Sequence, residues 1–292
     1  MKAMATRWDI FAKVVDNFGD IGVAWRLARM LAAEHGLDVR LWVDDVAALA
    51  RIWPAASATA AEQRVCSVDV RHWREPFPAA DPAEVVVEMF QCALPQSYVI
   101  AMAARPQAPC WINLDYLSAE TWVAGCHKLP SPHPRLPLTK YFYFPGFDRA
   151  TGGLLREQGL DKRRAAFVAD REALYAFWSA RGLDAPADNE IRVSLFCYPQ
   201  APVAELFDVW ARGSVPITAV MPESPAAERL RASFATDASA SGWIERGPAR
   251  LRIVPFTDQD DYDRLLWACD VSFVRGEDSF LRAQWALSLI HI

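Results

Sequence analysis

The sequence has 292 residues, of which 52% are hydrophobic and 23% charged, and its formal net charge is −5. A chain of this length and composition can bury a large core in one or two domains, so extensive disorder is not expected. The acidic balance disfavours a protein that binds nucleic acid directly, because such a protein needs a basic face to neutralise phosphates.

The cysteines are widely and irregularly spaced, with no Cys-x-x-Cys pair. This pattern is typical of reduced, buried thiols in a cytosolic protein and disfavours a structural metal site. The amino-terminal segment turns polar before any long apolar run, which argues against a signal peptide, and no apolar run reaches membrane-spanning length. We therefore expect a soluble, cytoplasmic protein with no membrane partner.

The first half of the chain alternates short apolar strands with helices. A strand is predicted at Ile10–Val15, and apolar residues then recur at helical spacing from Ile21 to His35. A strand at Val39–Val43 and a helix at Asp44–Ile52 follow, and this alternation favours parallel pairing in an α/β layer. Two further apolar runs are expected to extend the same sheet, Val85–Phe90 and Cys110–Leu114.

Two segments in the middle of the chain have distinctive patterns. Four prolines within residues 130–137 predict a loop. Residues 161–183 carry an apolar stripe and predict one amphipathic helix, and the Pro186-Ala-Asp-Asn segment after it predicts a domain boundary.

A second α/β series begins at residue 191. Its predicted strands and helices are Ile191–Tyr198, Val203–Ala211, Pro216–Val220, Leu251–Val254, Asp261–Cys269 and Val271–Val274. Two α/β halves joined by a hinge make the simplest architecture, with the ligand in a cleft beyond the carboxyl ends of the strands. Residues 287–292 end without a cap or a polar end, so the second domain is expected to be incomplete.

The first candidate motif lies at the turn between the first strand and the first helix. Asp16 and Asp20 are four residues apart there, and Gly19 and Gly22 allow the backbone to approach a ligand closely. Such a turn can present two carboxylates to a reacting group. Alternatively, Asp20 caps the helix and Asp16 closes a turn, and the residues alone leave both interpretations open.

The second candidate motif follows the last predicted strand and enters a helix through Gly276. The helix-start amides, the Ser279 hydroxyl and the Arg275 guanidinium can together bind a diphosphate without a divalent ion. Glu277 and Asp278 would repel phosphate, so we expect at least one of them to accept hydrogen bonds from sugar hydroxyls. A capping box at the helix start explains the acidic pair equally simply.

Three aromatic residues, Phe196, Tyr198 and Phe256, lie at or just past the ends of predicted strands in the second half. Flat rings at these positions predict a stacking platform for a nucleobase, and Asp258 and Gln259 can supply polar contacts to the edge of a pyrimidine. Core packing is the alternative for any one of these rings taken alone.

A series of longer motifs runs through the chain as far as Trp285. They are Trp8-Asp-Ile-Phe-x-x-Val-Val-Asp-Asn-Phe-Gly-Asp-Ile-Gly-Val-x-Trp-Arg-Leu-Ala-Arg, Leu41-Trp-Val-Asp-Asp, Asn113-Leu-Asp-Tyr-Leu-Ser-Ala-Glu-x-Trp, Phe144-Pro-Gly-Phe, Ser194-Leu-Phe-Cys-Tyr, Val254-Pro-Phe and Val274-Arg-Gly-Glu-Asp-Ser. In content and order they resemble the arginine rhamnosyltransferases that mature elongation factor P, the EarP family.

The resemblance implies a GT-B glycosyltransferase fold of two Rossmann-like domains that face a cleft. It implies an acceptor domain at 1–155, a linker with a helix at 156–187 and an incomplete nucleotide-sugar-binding domain at 188–292. The implied reaction is inverting transfer of L-rhamnose from dTDP-β-L-rhamnose to an arginine of translation elongation factor P, without a metal or another cofactor. The alternative is a GT-B-like protein of other sugar or acceptor specificity, or a non-catalytic nucleotide-binding module.

The resemblance also implies residue roles, with Asp16 and Asp20 as the catalytic carboxylates. The residues expected to bind the donor are Phe18, Gly19, Phe196, Tyr198, Phe256, Gln259, Arg275, Gly276, Glu277, Asp278 and Ser279. A protonated, delocalised guanidinium is a poor nucleophile, so an anion must localise its charge. We expect Asp20 to take a proton as the nitrogen attacks the anomeric carbon, while Asp16 orients the same group.

Overall fold

The chain divides into two compact units, unit 1 from Met1 to Gln158 and unit 2 from Gly159 to Ile292. The structure is a computed structural model, and it describes residues 6–15, 18–234 and 242–291. In this division residues 159–187, which the sequence-based division assigns to a linker, fall within unit 2.

Unit 1 is built on an eight-stranded mixed sheet. Its strands are β1 (Arg7–Ala12), β2 (Asp38–Val43), β3 (Glu62–Val65), β4 (Val68–His72), β5 (Val85–Met89), β6 (Cys110–Leu114), β7 (Pro130–Pro132) and β8 (Thr139–Tyr143). Their spatial order is β3-β4-β2-β1-β5-β6-β8-β7. The interior pairs are parallel, and the edge strands β3 and β7 pair antiparallel with β4 and β8. Parallel pairing therefore brings the carboxyl ends of β1, β5 and β6 to one edge of the sheet.

Helices connect the strands of unit 1 and cover the sheet. They are α1 (Gly19–His35), α2 (Val46–Ile52), α3 (Gln96–Ala103) and α4 (Val123–Cys126). The apolar stripe predicted for the first helix is buried in α1, including Ile21, Trp25 and Leu31. The helix ends at Gly36, which adopts a left-handed conformation with φ of 64° and donates its N–H to the Leu31 carbonyl. β1 is buried from Asp9 to Ala12, and α1 buries its apolar stripe, so both elements contribute to the core of unit 1.

A buried polar network ties β1 to β2 in unit 1. Asp9 is completely buried and faces Arg40, which donates two hydrogen bonds to its carboxylate at 2.7 and 2.6 Å. The Ala83 N–H donates to the same carboxylate at 3.1 Å, and the Tyr98 hydroxyl donates to it as well. Burial raises the pKa of Tyr98, so this phenol stays a neutral donor at physiological pH. The buried Asp9 carboxylate is therefore compensated by the Arg40 cation and by two neutral donors, the Ala83 N–H and the Tyr98 hydroxyl. A buried charge needs such partners.

Unit 2 is built on a six-stranded sheet with helices between its strands. The strands are β9 (Ile191–Leu195), β10 (Ile217–Pro222), β11 (Trp243–Arg246), β12 (Ala249–Val254), β13 (Val271–Phe273) and β14 (Leu289–His291). The helices are α5 (Leu160–Ala169), α6 (Arg171–Ser179), α7 (Val203–Ala211), α8 (Pro225–Ser233), α9 (Gln259–Trp267) and α10 (Gly276–Ala286). The strand order is β11-β12-β10-β9-β13-β14, with parallel pairs except β11 with β12.

Several sequence-based boundaries are wrong. The helix predicted at 161–183 is two helices, because the Asp170 carboxylate accepts the N–H groups of Glu172 and Ala173, each at 3.0 Å, and begins α6. The loop predicted at 130–137 begins with edge strand β7, a position where proline is tolerated. The strand predicted to reach Tyr198 ends at Leu195.

The cysteines are all free, as expected, but their predicted burial is wrong for most of them. Cys66 and Cys110 are exposed, and only Cys269 is fully buried. Within the described part of the chain, no helix has both the length and the apolarity needed to cross a bilayer.

Replacement of Tyr98 by Phe tests the buried network, because it keeps the ring and removes one donor to Asp9. We expect the Tyr98→Phe chain to lose about 1–3 kcal/mol of stability. The midpoint of thermal unfolding of unit 1 should fall by roughly 2–10 °C. The matched control is Tyr141→Phe, since Tyr141 is 43% exposed in the same unit. Equal midpoints for the two variants would contradict the stabilising role of the Tyr98 hydroxyl.

Candidate functional site

The first predicted motif lies where β1 leaves the sheet and α1 begins. Phe18 occupies the N-cap position of α1, Gly19 is the first helical residue and Asp20 follows it in the first turn. Asp20 is only 2% exposed. Asp16 lies outside the described residues. The capping interpretation of Asp20 is wrong, because Asp20 lies within the helix, two residues after the N-cap.

The Asp20 carboxylate receives a hydrogen bond on each of its oxygens. The Val15 N–H donates to Oδ2 at 2.9 Å, and the Tyr116 hydroxyl donates to Oδ1 at 3.2 Å. Val15 follows β1 and Tyr116 follows β6. Residues after two strands that are not neighbours in the sheet therefore donate hydrogen bonds to the same carboxylate. Donors on both oxygens fix the plane of the carboxylate.

Tyr116 is itself held by its surroundings in unit 1. Its ring stacks on Phe90, with centroids 4.2 Å apart and an interplanar angle of 7°. Its N–H donates to Asp115 Oδ1 at 2.9 Å, and Asp115 Oδ2 accepts from the side-chain amides of Asn113 at 3.1 Å and Gln91 at 2.8 Å. The Gln91 N–H donates to Asn113 Oδ1 at 3.1 Å. This network joins the segments that follow β5 and β6.

The segment that follows β5 has an unusual backbone. Phe90, Gln91 and Ala93 adopt φ values of 52°, 55° and 55°, a region that residues other than glycine seldom occupy. The Phe90 N–H donates to the Leu114 carbonyl at 2.8 Å, and the Ala93 N–H donates to the buried Glu88 carboxylate at 3.1 Å. The surrounding hydrogen bonds therefore hold a conformation that the residues themselves do not favour.

Sequence reasoning assigned no role to Tyr116, Phe90 or Gln91. Tyr116 lies two residues after β6, within the Asn113-Leu-Asp-Tyr-Leu-Ser-Ala-Glu-x-Trp motif. A polar and aromatic segment at the carboxyl end of a strand is the signal that points to it. Phe90 and Gln91 gave no signal, because their sequence contains no glycine to indicate a left-handed backbone.

The second predicted motif lies between β13 and α10 in unit 2. The Arg275 guanidinium carbon is 4.7 Å from the Phe196 ring centroid and 4.7 Å from the Tyr198 ring centroid. Contact with aromatic faces is favourable for a planar guanidinium and restricts its position. The structure therefore brings these three predicted residues together, with the rings supporting the cation.

The start of α10 is braced by Ser279, which is 5% exposed. The Ser279 hydroxyl accepts the Arg275 N–H at 3.0 Å and donates to the Arg275 carbonyl. Gly276 begins the helix with φ of 66°. Arg275, the N-cap residue, makes no side-chain cap hydrogen bond, so α10 lacks the N-cap half of the capping box predicted as the alternative for Glu277 and Asp278.

A second contact in unit 2 joins α9 to α10. The Gln259 side-chain amide donates to Asp278 Oδ2 at 3.3 Å, and both residues are buried. One turn further along, Arg282 donates two hydrogen bonds to Asp263, at 2.9 and 2.6 Å, in a buried pair. Gln259 and Asp278 are thus brought together. The buried ion pair between Arg282 and Asp263 holds their helices, α9 and α10, in place.

The remaining donor-site candidates lie at the same end of the unit 2 sheet. Phe256 follows β12 and is half-buried, and Glu277 is half-buried in the first turn of α10. Asp258 caps α9 by accepting the Asp261 N–H at 2.8 Å, which gives it a structural role.

Two ionisable groups beside the aromatic residues stay uncharged. Burial raises the pKa of the Cys197 thiol, and the Arg275 cation opposes this only in part. Burial also raises the pKa of Tyr262, whose ring packs edge-on to Phe196 with centroids 5.6 Å apart. Neither group is therefore suited to act as a nucleophile at neutral pH, and Arg275 supplies the positive charge beside the rings.

A separate cavity of about 280 Å³ lies in unit 1, and it contains none of the predicted site residues. Arginines line it, but Arg40 is paired with Asp9, and Arg71 is paired with Asp69 and Glu62. The described residues contain no group of three or more His, Cys, Asp or Glu side chains that could hold a metal ion.

The chain matches the family model described as elongation factor P (EF-P) rhamnosyltransferase EarP over residues 8–290. A protein-arginine rhamnosyltransferase of Pseudomonas putida is 50% identical over 284 residues, which cover 97% of this chain and 75% of that protein. The Pseudomonas aeruginosa protein of the same name is 45% identical, with 96% and 74% covered. That of Neisseria meningitidis serogroup B is 36% identical, with 95% and 71% covered.

A solved structure is similar to this one across both units. It is described as the structural basis for EarP-mediated arginine glycosylation of translation elongation factor EF-P, and it is 34% identical with a TM-score of 0.63. The match covers 98% of this chain and 72% of that one. This likeness confirms the α/β fold of the GT-B type that the sequence predicts.

Replacement of Ser279 by Ala tests the brace at the start of α10. We expect a loss of about 0.5–2 kcal/mol, as for the loss of a helix cap, because the Arg275 N–H loses its acceptor. The unfolding midpoint of unit 2 should fall by roughly 2–6 °C in a thermal scan. Ser214→Ala is the matched control, since Ser214 is exposed in the same unit. A midpoint equal to that of the control would argue against the brace.

Proposed function

Since this chain belongs to the EarP family of EF-P rhamnosyltransferases, we propose that it transfers L-rhamnose from dTDP-β-L-rhamnose to an arginine of elongation factor P. The proposed enzyme is an inverting protein-arginine glycosyltransferase that needs no metal and acts in the cytoplasm, where the elongation factor works. The observation that carries this proposal is the fixed Asp20 carboxylate at the exit of β1.

The chemical task is to make a guanidinium nitrogen attack a sugar carbon. The guanidinium is protonated and its lone pairs are delocalised, so the free group is a poor nucleophile. A carboxylate that hydrogen-bonds one nitrogen localises the positive charge and accepts the proton as that nitrogen attacks. We assign this role to Asp20. Asp16, four residues earlier in the sequence, is proposed to orient the same guanidinium.

The proposed reaction is a single displacement at the anomeric carbon. The nitrogen forms a bond to that carbon as the bond to the diphosphate oxygen breaks, and dTDP leaves with the bonding electrons. Attack on the face opposite the nucleotide inverts the centre and gives an α-linked rhamnose. The proton lost by the nitrogen goes to Asp20.

The donor is proposed to bind residues at the carboxyl ends of the unit 2 strands. Arg275 offsets the charge that develops on the diphosphate, and the start of α10 at Gly276 adds its helix dipole. Glu277 and Asp278 accept hydrogen bonds from donor hydroxyls. Ser279 acts by holding the Arg275 backbone.

The nucleobase is proposed to contact the aromatic group beside Arg275. Phe196 supports the Arg275 guanidinium from its half-buried position, whereas Tyr198 is 39% exposed and can also contact the base. Phe256 supplies a second ring, and Gln259 a polar contact to the base edge. Phe18 and Gly19 are proposed to contact the donor from the start of α1.

Replacement of Asp20 by Asn tests the proton acceptor. We expect the rate of rhamnosylation to fall by about 10²–10⁴-fold, because an amide cannot take the proton. The affinity for dTDP-rhamnose should change by less than about twofold, since the donor groups are intact. Turnover is measured as the mass gain of one deoxyhexose on purified elongation factor P, and donor binding by calorimetry.

The control for this experiment is Asp38→Asn, which removes an exposed carboxylate from the same unit. The control should react at the wild-type rate. Retained turnover in Asp20→Asn, or loss of donor binding with it, would overturn the assignment. Failure of the wild-type chain to modify the elongation factor would overturn the proposed function itself.

Replacement of Arg275 tests the donor site. In Arg275→Met the dissociation constant for dTDP should rise by about 10- to 100-fold, the effect of losing a charge-assisted hydrogen bond. Arg275→Lys should also bind less tightly than wild type, since an ammonium lacks the planar group that the two rings support. The matched control is Arg231→Met, an exposed arginine of the same unit.

The same titrations separate the proposal from a nucleotide-binding module of other specificity. Each titration is run with and without excess chelator, and dTDP is compared with UDP and GDP. Tighter binding of dTDP, unaffected by the chelator, is the expected result. Equal affinity for the three nucleotides, or loss of binding with chelator, would contradict a metal-independent thymidine-sugar site.

A further inference from the structure

The Tyr116 side chain connects a strained turn to the Asp20 carboxylate. Its hydroxyl lies 3.2 Å from Asp20 Oδ1, and its ring lies on Phe90. We propose that Tyr116 is a positioning residue that sets the orientation of Asp20 for proton transfer, with Phe90 as its support. This inference rests on the proposed function, because it assigns a second residue to the same reaction.

The first argument is geometric. A carboxylate group can rotate about the bond that joins it to its side chain. Unless both of its oxygens are held, this rotation moves them out of line with a bound guanidinium. The Val15 N–H holds Oδ2 from the β1 exit, and the Tyr116 hydroxyl holds Oδ1 from the β6 exit. The two donors follow separate strands of one sheet, and each holds a different oxygen, so they fix the plane of the carboxylate and not only its position.

The second argument is energetic. Phe90, Gln91 and Ala93 all have left-handed backbones, and such a conformation costs about 1–3 kcal/mol for a residue other than glycine. Strain of this kind persists only where surrounding contacts hold it and is concentrated at functional sites. Here the strained turn places the Phe90 ring under Tyr116 and the Gln91 amide on Asp115.

The third argument is the exposure of the two partners. Asp20 is 2% exposed, whereas Tyr116 is 39% exposed. A stabilising core contact would bury the phenol. A partly exposed tyrosine whose hydroxyl donates to a buried carboxylate and whose ring rests on a flat ring is instead suited to define one side of a site that an acceptor can enter.

The test is Tyr116→Phe, which keeps the ring on Phe90 and removes only the hydroxyl. We expect kcat for rhamnosylation of elongation factor P to fall by about 10- to 100-fold, the cost of a misplaced reacting group. KM for dTDP-rhamnose should stay within about threefold, because Tyr116 acts on the proton acceptor. The matched control is Tyr141→Phe, which removes an exposed phenol from the same unit and should keep the wild-type kcat.

A second pair of variants separates positioning from a structural role. In an Asp20→Glu background the carboxylate is displaced, so adding Tyr116→Phe should lower kcat by less than about threefold. Phe90→Leu keeps the Tyr116 hydroxyl but removes its support, and should lower kcat by about 3- to 10-fold. Thermal unfolding of each variant shows whether it is folded.

The outcomes distinguish this inference from the proposed function. If the wild-type chain modifies the elongation factor while Tyr116→Phe and Phe90→Leu keep the wild-type kcat, the positioning role is wrong and the function stands. An equal loss from Tyr116→Phe in the wild-type and Asp20→Glu backgrounds would also overturn it, since Tyr116 would then act independently of Asp20. If the wild-type chain is inactive, the proposed function fails first.

Discussion

The hydrogen bonds that hold the Asp20 carboxylate are the constraint on which the candidate site depends. Asp20 is buried in the first turn of α1, and its oxygens accept from Val15 and from the Tyr116 hydroxyl. Because β1 and β6 are parallel strands of one sheet, their exits reach the same edge, and residues 96 positions apart in the sequence meet there. The sheet thus holds the Asp20 carboxylate in one orientation, which the short side chain could not maintain alone.

The two units contribute different chemistry to the proposed reaction. Unit 1 holds an anion suited to a cationic acceptor, and unit 2 holds a cation suited to an anionic donor. In unit 2 the charge is also fixed in place, since Phe196 and Tyr198 contact the Arg275 guanidinium and Ser279 holds its backbone. In each unit the charged residue lies at the start of a helix, Asp20 in the first turn of α1 and Arg275 at the N-cap of α10, and residues that follow strands of the same sheet hold it.

The sequence predicted the features that local patterns determine. The apolar run of β1, the helical spacing of α1 and the strand–helix alternation are readable from neighbouring residues, and the structure has all three. Contacts between distant residues were not readable. The partner of Tyr116 is residue 20, and the rings that contact Arg275 belong to residues 196 and 198, so no local pattern indicates either contact. The break at Asp170 was missed because the apolar stripe continues across it, while a single capping carboxylate decides where α6 begins.

The left-handed turn after β5 has a consequence for redesign of this protein. Glycine at Phe90 or Gln91 would relieve the backbone strain, so both positions are natural targets in a search for greater heat tolerance. The same change would remove the ring beneath Tyr116 or the amide on Asp115. Thermal robustness and catalytic rate would then move in opposite directions at this turn, so it is a place where a stabilised variant should keep its original residues.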